Sequence, residues 1–275
     1  AEYLADNVLS LQPLLLQDFL LRTSLLVRLS GPLCDEIMGH KGSQEVLEHL
    51  VHAGLFVRDL DSQLELFKYH PLFSSFLSLQ LKAHDPSAVL EIHLRAAHWF
   101  REHGMFEEAL HHAVDAGSGS FAAETLDIWA AQLVMDGHLT TVERWYDRLS
   151  LDEIVKRPSL VIKAAYALAF LRRREKLDPL LEVLDRLAKT PAPDAHPDVV
   201  RSMIAVLQDD LIGALETVGR VDVFDMPKHS FHAFELAAAA NLKGYLALVA
   251  TNFENAHEYL SRARALGDNS GAGFS

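Results

Sequence analysis

The segment Tyr69–Phe73, with the sequence Tyr-His-Pro-Leu-Phe, most constrains the fold because two different patterns meet there. Before it, three short helical segments are followed by two extended runs, and the second run alternates apolar and polar residues from Leu64 to Lys68. Such alternation is typical of a half-buried strand. After it, apolar residues recur with helical periodicity alone. The residues predict a small helical unit closed by a two-strand ribbon, followed by an all-helical region.

Three helices followed by a β-ribbon are the layout of a winged helix. Ser43 is placed as the N-cap of the third helix, because its hydroxyl can accept from a free amide of the first turn. The extended runs Leu55–Asp59 and Leu64–Tyr69 form the ribbon, and Asp61-Ser62 between them supplies turn chemistry. We predict a winged-helix domain over residues 1–85.

From residue 86 onward the sequence predicts helices that follow one another in pairs, with small residues where helices approach closely. The segment Asn252–Leu260 echoes Met105–Ala113, since each has a phenylalanine followed three residues later by an alanine. This pattern is a degenerate tetratricopeptide-like repeat of roughly 34–45 residues. Such pairs stack because one pair alone cannot bury its apolar face. We predict a mainly α chain in which the winged helix is followed by a tetratricopeptide-like α-solenoid over residues 86–275.

The charge of the chain argues against nucleic acid as a direct partner. The formal net charge is −13; residues 1–85 contribute −5 and residues 86–275 contribute −8, so neither part has the basic field that phosphate contacts need. No stretch is long and apolar enough to span a bilayer, and the first residues are acidic where a secretory signal would be basic. A single cysteine, Cys34, excludes an internal disulfide. We expect a cytoplasmic protein that binds neither nucleic acid nor membrane.

The residues do not assemble an enzyme site. His93, His98 and His103 are five residues apart, a spacing that spreads them around a helix. Glu108 and His111 lack the second pair and the further glutamates that a di-iron bundle needs. Neither a phosphate-binding G-x-x-x-x-G-K-[ST] loop nor a G-x-S-x-G nucleophile turn occurs in the sequence. We expect no catalysis, no metal and no cofactor in this chain, and a metal-dependent enzyme is the least favoured alternative.

Several segments resemble the large ATP-dependent LuxR-type transcriptional regulators of bacteria, the MalT-like members of the signal-transduction ATPases. Such regulators have an ATPase module, a winged-helix module, a helical-repeat sensor and a DNA-binding helix-turn-helix, in that order. The resemblance implies that this chain corresponds to the second and third parts, and that ATP or ADP and DNA are bound by other modules of a longer parent. The segments that carry the resemblance are Tyr3-Leu4, Gln17–Ser24, Pro32–Asp35, Tyr69–Phe73 and Glu107–Ala113.

The resemblance implies a role for His70 in nucleotide sensing. In relatives, a histidine after the ribbon contacts the terminal phosphate of bound ADP and holds the ATPase module against the winged helix. An imidazole N–H can donate to a phosphate oxygen, and the start of a helix favours an anion. Pro71 departs from relatives with a polar residue there, and it removes one N–H donor. The alternative is that His70 caps a helix or packs between Tyr69 and Phe73.

The resemblance also implies that the helical repeats receive a small-molecule or protein effector in a groove. Aromatic faces suit sugars and flat ligands, and arginines can bind anions. The alternative for the aromatic candidates is that they pack in the core. The alternative for the arginine at the C-terminus of a helix is that it interacts with the negative end of the helix dipole. A rival hypothesis is a protein-binding helical-repeat scaffold without a small-molecule effector. The groove candidates are Trp129, Trp145, Tyr146, Tyr166, Arg144 and Arg172.

Overall fold

The computed structural model describes residues 9–60, 65–189 and 197–270 of the chain. Within these ranges there are fifteen helices and one two-stranded sheet. No helix in the same ranges combines the length and the apolar character needed to cross a membrane. The chain forms two compact units, Ala1–Ala122 and Ala123–Ser275.

The first unit begins with a winged helix. Its strands are antiparallel, with Val57 opposite Tyr69, and the turn predicted at Asp61-Ser62 lies outside the described residues. Two backbone hydrogen bonds of 2.9 Å join Phe67 to Leu29, and both residues are fully buried. The ribbon is thereby tied to the segment that precedes the second helix. The elements are α1 (Leu14–Thr23), α2 (Gly31–Met38), α3 (Ser43–His52), β1 (Val57–Asp59), β2 (Phe67–Tyr69) and α4 (Pro71–His84).

The predicted N-cap of α3 is wrong by one residue. Gly42, with a φ of 110°, is the N-cap, and Ser43 is the first residue of the helix. The amide of Ser43 donates instead to the carboxylate of Asp35, at 2.9 Å. A side chain from the preceding helix therefore satisfies one of the amides that a local cap would satisfy.

The first helix pair, α5 (Pro86–Glu102) and α6 (Phe106–Asp115), belongs to the same unit. Ile92 and Phe100 of α5 are buried in one core cluster with the winged-helix residues. Asp85 separates α4 from α5, and its carboxylate accepts from the amide of Ala88 at 3.0 Å. A domain boundary after residue 85 stays a prediction, while the compact unit itself extends to residue 122.

The second unit consists of helices, and consecutive helices pack against each other in pairs. With the winged helix at the start and helices after it, the predicted fold class is confirmed; the tetratricopeptide character of the repeats stays a prediction. The helices are α7 (Gly119–Met135, which begins in the first unit), α8 (Leu139–Arg148), α9 (Leu151–Val155), α10 (Pro158–Phe170), α11 (Arg174–Lys189), α12 (Pro197–Leu207), α13 (Leu211–Val218), α14 (Ser230–Val249) and α15 (Phe253–Ser270).

The two segments that echo each other in sequence occupy equivalent places. Phe106–Asp115 and Phe253–Ser270 are each the second helix of a pair. Ala109 and Ala256, the alanines three residues after the phenylalanines, are both buried. A small side chain at this position permits close approach to the first helix of the pair.

The same turn ends the first helix of every pair. One residue takes a positive φ, and the next amide donates to the carbonyl five residues before it, at 2.8–2.9 Å. This is the hydrogen bond of a helix end with a left-handed residue after the C-cap. Successive turns are 33, 35, 37 and 42 residues apart, which matches the repeat read from the sequence. The left-handed residues are Gly104, Gly137, Arg172, Asp209 and Thr251.

We expect Thr251→Gly to stabilise the chain by about 1 kcal/mol, because a β-branched residue at φ 57° is strained and glycine is not. Thr251 is exposed, so its side chain contributes little packing. The reciprocal control, Gly137→Ala at φ 76°, should destabilise by a similar amount. Urea unfolding followed by circular dichroism measures both. A change in stability of the same sign and size in both variants would contradict the assignment of strain to this turn.

Candidate functional site

His70 joins the ribbon to α4, and its backbone is held from both sides. Its amide donates to the carbonyl of Phe56 at 2.7 Å, while its own carbonyl accepts from the amides of Phe73 and Ser74 at 2.9 and 3.0 Å. The side chain is exposed. The fold therefore presents the imidazole at a fixed place at the N-terminus of a fourteen-residue helix.

The His70 ring caps α4. Its Nδ1 accepts from the amide of Leu72 at 3.3 Å, while Pro71 has no amide to satisfy. Because Nδ1 is the acceptor, the proton of the neutral ring lies on Nε2, which can donate outward. The rings of Tyr69 and Phe73 contact each other directly, with centroids 6.1 Å apart, and His70 does not pack between them. Capping by Nδ1 and donation by Nε2 are compatible, so the sensing role stays a prediction.

The groove candidates of the second unit lie in different environments. Trp145 and Tyr166 are fully buried, so core packing describes both, and neither ring faces solvent. Tyr146 is half-buried, and its hydroxyl donates to the carbonyl of Lys176 at 3.0 Å, which links α8 to α11. Tyr166 is buried because neighbouring helices cover more than one face of α10, whereas Trp145 lies on the one buried face of α8, three residues after Val142.

The remaining candidates are more accessible. Trp129 of α7 is half-buried, and Arg144 and Arg172 are exposed. Arg172 is the left-handed residue between α10 and α11, so its position is fixed by the turn described above. Arg144 lies on α8 beside Tyr146, and its guanidinium carbon is 6.0 Å from the ring centroid of Trp145. Trp129, Arg144, Tyr146 and Arg172 are thus the candidates that keep some exposure to solvent.

A buried polar cluster, which the sequence did not predict, lies among α7, α10 and α14. Lys163 is 8% exposed, and its ammonium donates to the carboxylate and to the backbone carbonyl of Asp127, both at 2.7 Å. The same ammonium lies 5.6 Å from the ring centroid of Phe231. A buried charge is tolerated when it is paired and hydrogen-bonded in this way.

Glu235 is the unusual member of this cluster. It is 2% exposed, and its Oε1 has no hydrogen-bond partner among the described residues; the buried hydroxyl of Tyr166 also has none there. Burial raises the pKa of Glu235 to about 8, against a smaller opposing effect of the Lys163 charge. Burial, reinforced by the charge of Glu235, raises the pKa of Tyr166. Unsatisfied polar groups at such depth are costly, and they mark the region as a candidate site.

One sequence signal could have found this cluster. Lys163 and Glu235 each stand inside an otherwise apolar helical run, Leu160–Phe170 and Ala233–Ala240. A charged residue in a run that is apolar on every side must find a partner in the interior or stay neutral there. The sequence does not tell which other residues it meets, because these come from distant helices.

The chain matches a known family in its first part. Residues 5–89 match the family model described as the MalT winged helix domain. Most of the chain is also similar to the HTH-type transcriptional regulator MalT of Cronobacter sakazakii, 28% identical over 244 residues, which are 88% of this chain and 27% of that protein. Residues 5–89 are therefore similar to the winged helix domain of MalT. The resemblance predicted from the sequence is therefore confirmed, and the family match includes His70.

The chain is also similar to proteins of another kind. It is 29% identical over 216 residues to the serine/threonine-protein kinase PknK of Mycobacterium tuberculosis, with 76% of this chain and 20% of that protein covered. The same values hold for PknK of Mycobacterium bovis. The chain thus spans about a fifth to a quarter of the length of the curated relatives it matches.

We expect the stability of the chain to depend on the protonation of Glu235. The folded chain keeps this proton up to a pH of about 8, its pKa in the fold, whereas the unfolded chain releases it near the ordinary pKa of 4.5. The contribution of this proton to the free energy of unfolding is therefore fully present below pH 4.5, and it is lost as the pH rises to 8. Glu235→Gln should stabilise the chain by about 4 kcal/mol at pH 8 and have little effect at pH 4.5.

Urea unfolding at the two pH values measures this dependence on Glu235. The exposed Glu258→Gln on α15 is the matched control and should leave the pH profile of stability unchanged. An equal effect of Glu235→Gln at both pH values would contradict the burial of a protonated carboxyl.

We expect Tyr166→Phe to be neutral or to stabilise by about 1 kcal/mol, because the hydroxyl it removes is buried without a partner among the described residues. Tyr69→Phe is the matched control. The Tyr69 hydroxyl is also buried, but it lies 2.7 Å from Oγ1 of Thr23. Its removal should destabilise by about 1–2 kcal/mol. Thermal unfolding of the two variants compares them, and a larger loss for Tyr166→Phe would show that its hydroxyl is satisfied in solution.

Proposed function

We propose that this chain is the regulatory segment of a bacterial, ATP-dependent LuxR-type transcriptional activator located in the cytoplasm. The observation that carries the proposal is the match of residues 5–89 to the MalT winged helix domain. The similarity to the transcriptional regulator MalT over most of the chain supports it further. In this role the segment relays effector binding in the helical repeats to a nucleotide-gated switch, without performing a reaction itself.

His70 is the residue that we propose reads the nucleotide. Its Nε2 can donate from the N-terminus of α4, where the helix dipole favours the negative charge of a phosphate. The nucleotide, ATP or ADP, is held by an ATPase module elsewhere in the longer protein, and that module is the intramolecular partner of the winged helix. The net charge of −5 over residues 1–85 fits contact with another protein module better than contact with DNA.

The effector site is proposed on the helical repeats of the second unit. Trp129, Arg144, Tyr146 and Arg172 are the accessible candidates there, and they can offer aromatic faces and positive charge to a metabolite or a protein. The buried cluster around Glu235 belongs to the same unit. Because this cluster is incompletely satisfied, rearrangement of its helices costs less than rearrangement of a fully bonded core.

A protein-binding scaffold is the second candidate function. The similarity to a serine/threonine-protein kinase favours it, because a segment shared between a kinase and a transcriptional regulator serves a purpose common to both. Thermal shift of the chain with a metabolite panel, compared with affinity capture of protein partners, separates the two. A metabolite that raises the melting temperature supports the sensor, and protein capture without any such metabolite supports the scaffold.

We expect His70→Ala in the full-length natural protein to weaken ADP binding by about tenfold and to raise basal transcriptional activation, since one hydrogen bond to a charged group is lost. ADP retention after gel filtration and a reporter assay measure the two effects. His84→Ala, at the exposed opposite end of α4, is the matched control and should change neither. Unchanged ADP retention and activation in His70→Ala would contradict nucleotide sensing, as would a natural protein without an ATPase module.

A further inference from the structure

The first unit contains a polar cleft of about 400 Å³ that is separate from His70. Four elements form it: Ser24 follows α1, Ser74 and Ser78 lie on α4, His93 lies on α5, and Asp115 ends α6. The volume is in the range of small-molecule sites. The winged helix and the first helix pair thus enclose a space lined mainly by groups that form hydrogen bonds.

Two opposite charges border this cleft. Lys82 of α4 and Asp115 of α6 both line it and both are exposed. Neither side chain forms an ion pair within the described ranges of the chain. Both lie close enough to His93 to act on its pKa, which burial lowers most, Asp115 raises and Lys82 lowers. The cleft therefore presents one positive and one negative charge that the fold leaves uncompensated.

His93 forms the buried wall of the cleft. It is 7% exposed, and its Nδ1 lies 2.8 Å from Nδ1 of His112, which is also buried. Burial holds the pKa of His112 down to about 3, so the second ring stays neutral and one proton is shared between the two nitrogens. This bond fixes the ring of His93 and leaves Nε2 as its remaining polar atom.

The serine hydroxyls add acceptors to the cleft. Ser24 donates its hydroxyl proton to the carbonyl of Leu21 at 2.7 Å, and Ser74 donates to the carbonyl of Pro71 at 3.1 Å. With their protons engaged, the lone pairs of both oxygens can accept from a bound molecule. A ligand with donors as well as acceptors fits this lining better than a simple anion.

We propose that the cleft binds a small zwitterion of the free amino acid class, with its carboxylate paired to Lys82 and its ammonium paired to Asp115. A simple anion would be repelled by the negative charge of Asp115, and a simple cation would be repelled by the positive charge of Lys82. A zwitterion compensates both, while the serines and His93 bind its remaining polar groups. The site is independent of the nucleotide and of the effector groove, and it adds a second input close to α4.

The test is calorimetry of the whole chain with free L-amino acids, added one at a time, and with the N-acetyl and amide derivatives of any that binds. We expect at least one free amino acid to bind and each derivative to bind about tenfold more weakly, since each lacks one charged contact. Asp115→Asn should abolish the preference for the free amine over the N-acetyl form. Lys82→Met should abolish the preference for the carboxylate over the amide.

The matched controls are Lys41→Met and Asp59→Asn, which remove exposed charges of the first unit outside the cleft. Both should bind the amino acid with unchanged affinity. All four substitutions are at exposed positions, and circular dichroism verifies that the variants fold. The proposal is overturned if no free amino acid binds, or if binding occurs and neither cleft variant changes the ranking of the derivatives.

Discussion

The second unit depends on the burial of α10. Ten consecutive residues of this helix, Leu160–Ala169, are buried, including the charged residue among them. A helix that is apolar all round is stable only when neighbours cover every face. Here α8, α9, α11 and α12 pack against it, and Tyr166 reaches the aromatic residues of α14. Loss of any neighbour exposes apolar surface on α10, so the unit must fold as a stack and not as separate pairs.

The buried polar side chains inside that stack are candidates for a functional role, because burying them costs free energy. Lys163 is compensated by Asp127, but Glu235 Oε1 and the hydroxyl of Tyr166 have no hydrogen-bond partner among the described residues. A sequence selected for stability alone would place apolar residues there. The cluster joins three helices that are distant in the chain, so a change in their packing would alter its hydrogen bonds directly. Under the proposed function, this cluster is where an effector would shift an equilibrium between two arrangements.

The helices and strands could be predicted from local sequence patterns, but the contacts between distant helices could not. Glycines such as Gly104 and Gly137 are signals of a helix end that can be read from the sequence, because glycine adopts the left-handed turn easily. Pro71 is likewise a signal of the helix start that follows His70. Arg172 gave no such signal, because it adopts the same turn without being glycine. Ser43 was misassigned as a cap because the actual acceptor, Asp35, belongs to another helix.

Prediction of the burial and the partners of the candidate side chains is limited in the same way, because both depend on contacts between distant helices. Helical periodicity identifies one covered face, which on α8 includes Trp145 together with Val142. Tyr166 lies on a helix covered on more than one face, so its burial could not be read from spacing. The contact between His93 and His112 joins residues 19 apart on two helices that meet only in the folded unit. The charged residues in apolar runs were the one sequence signal of the interior cluster, and only the fold shows which partners they have.

The first unit brings together the features of a relay: a histidine that can donate from the start of α4, a β-ribbon that fixes it, and a first helix pair that shares the core of the winged helix. The central claim is that His70 reads a phosphate held by another module of the longer protein. The most direct measurement is an experimental structure of the full-length natural protein bound to ADP. The account predicts Nε2 of His70 within about 2.7–3.2 Å of an oxygen of the terminal phosphate. A terminal phosphate bound without His70, or by a module that does not contact the winged helix, would contradict it.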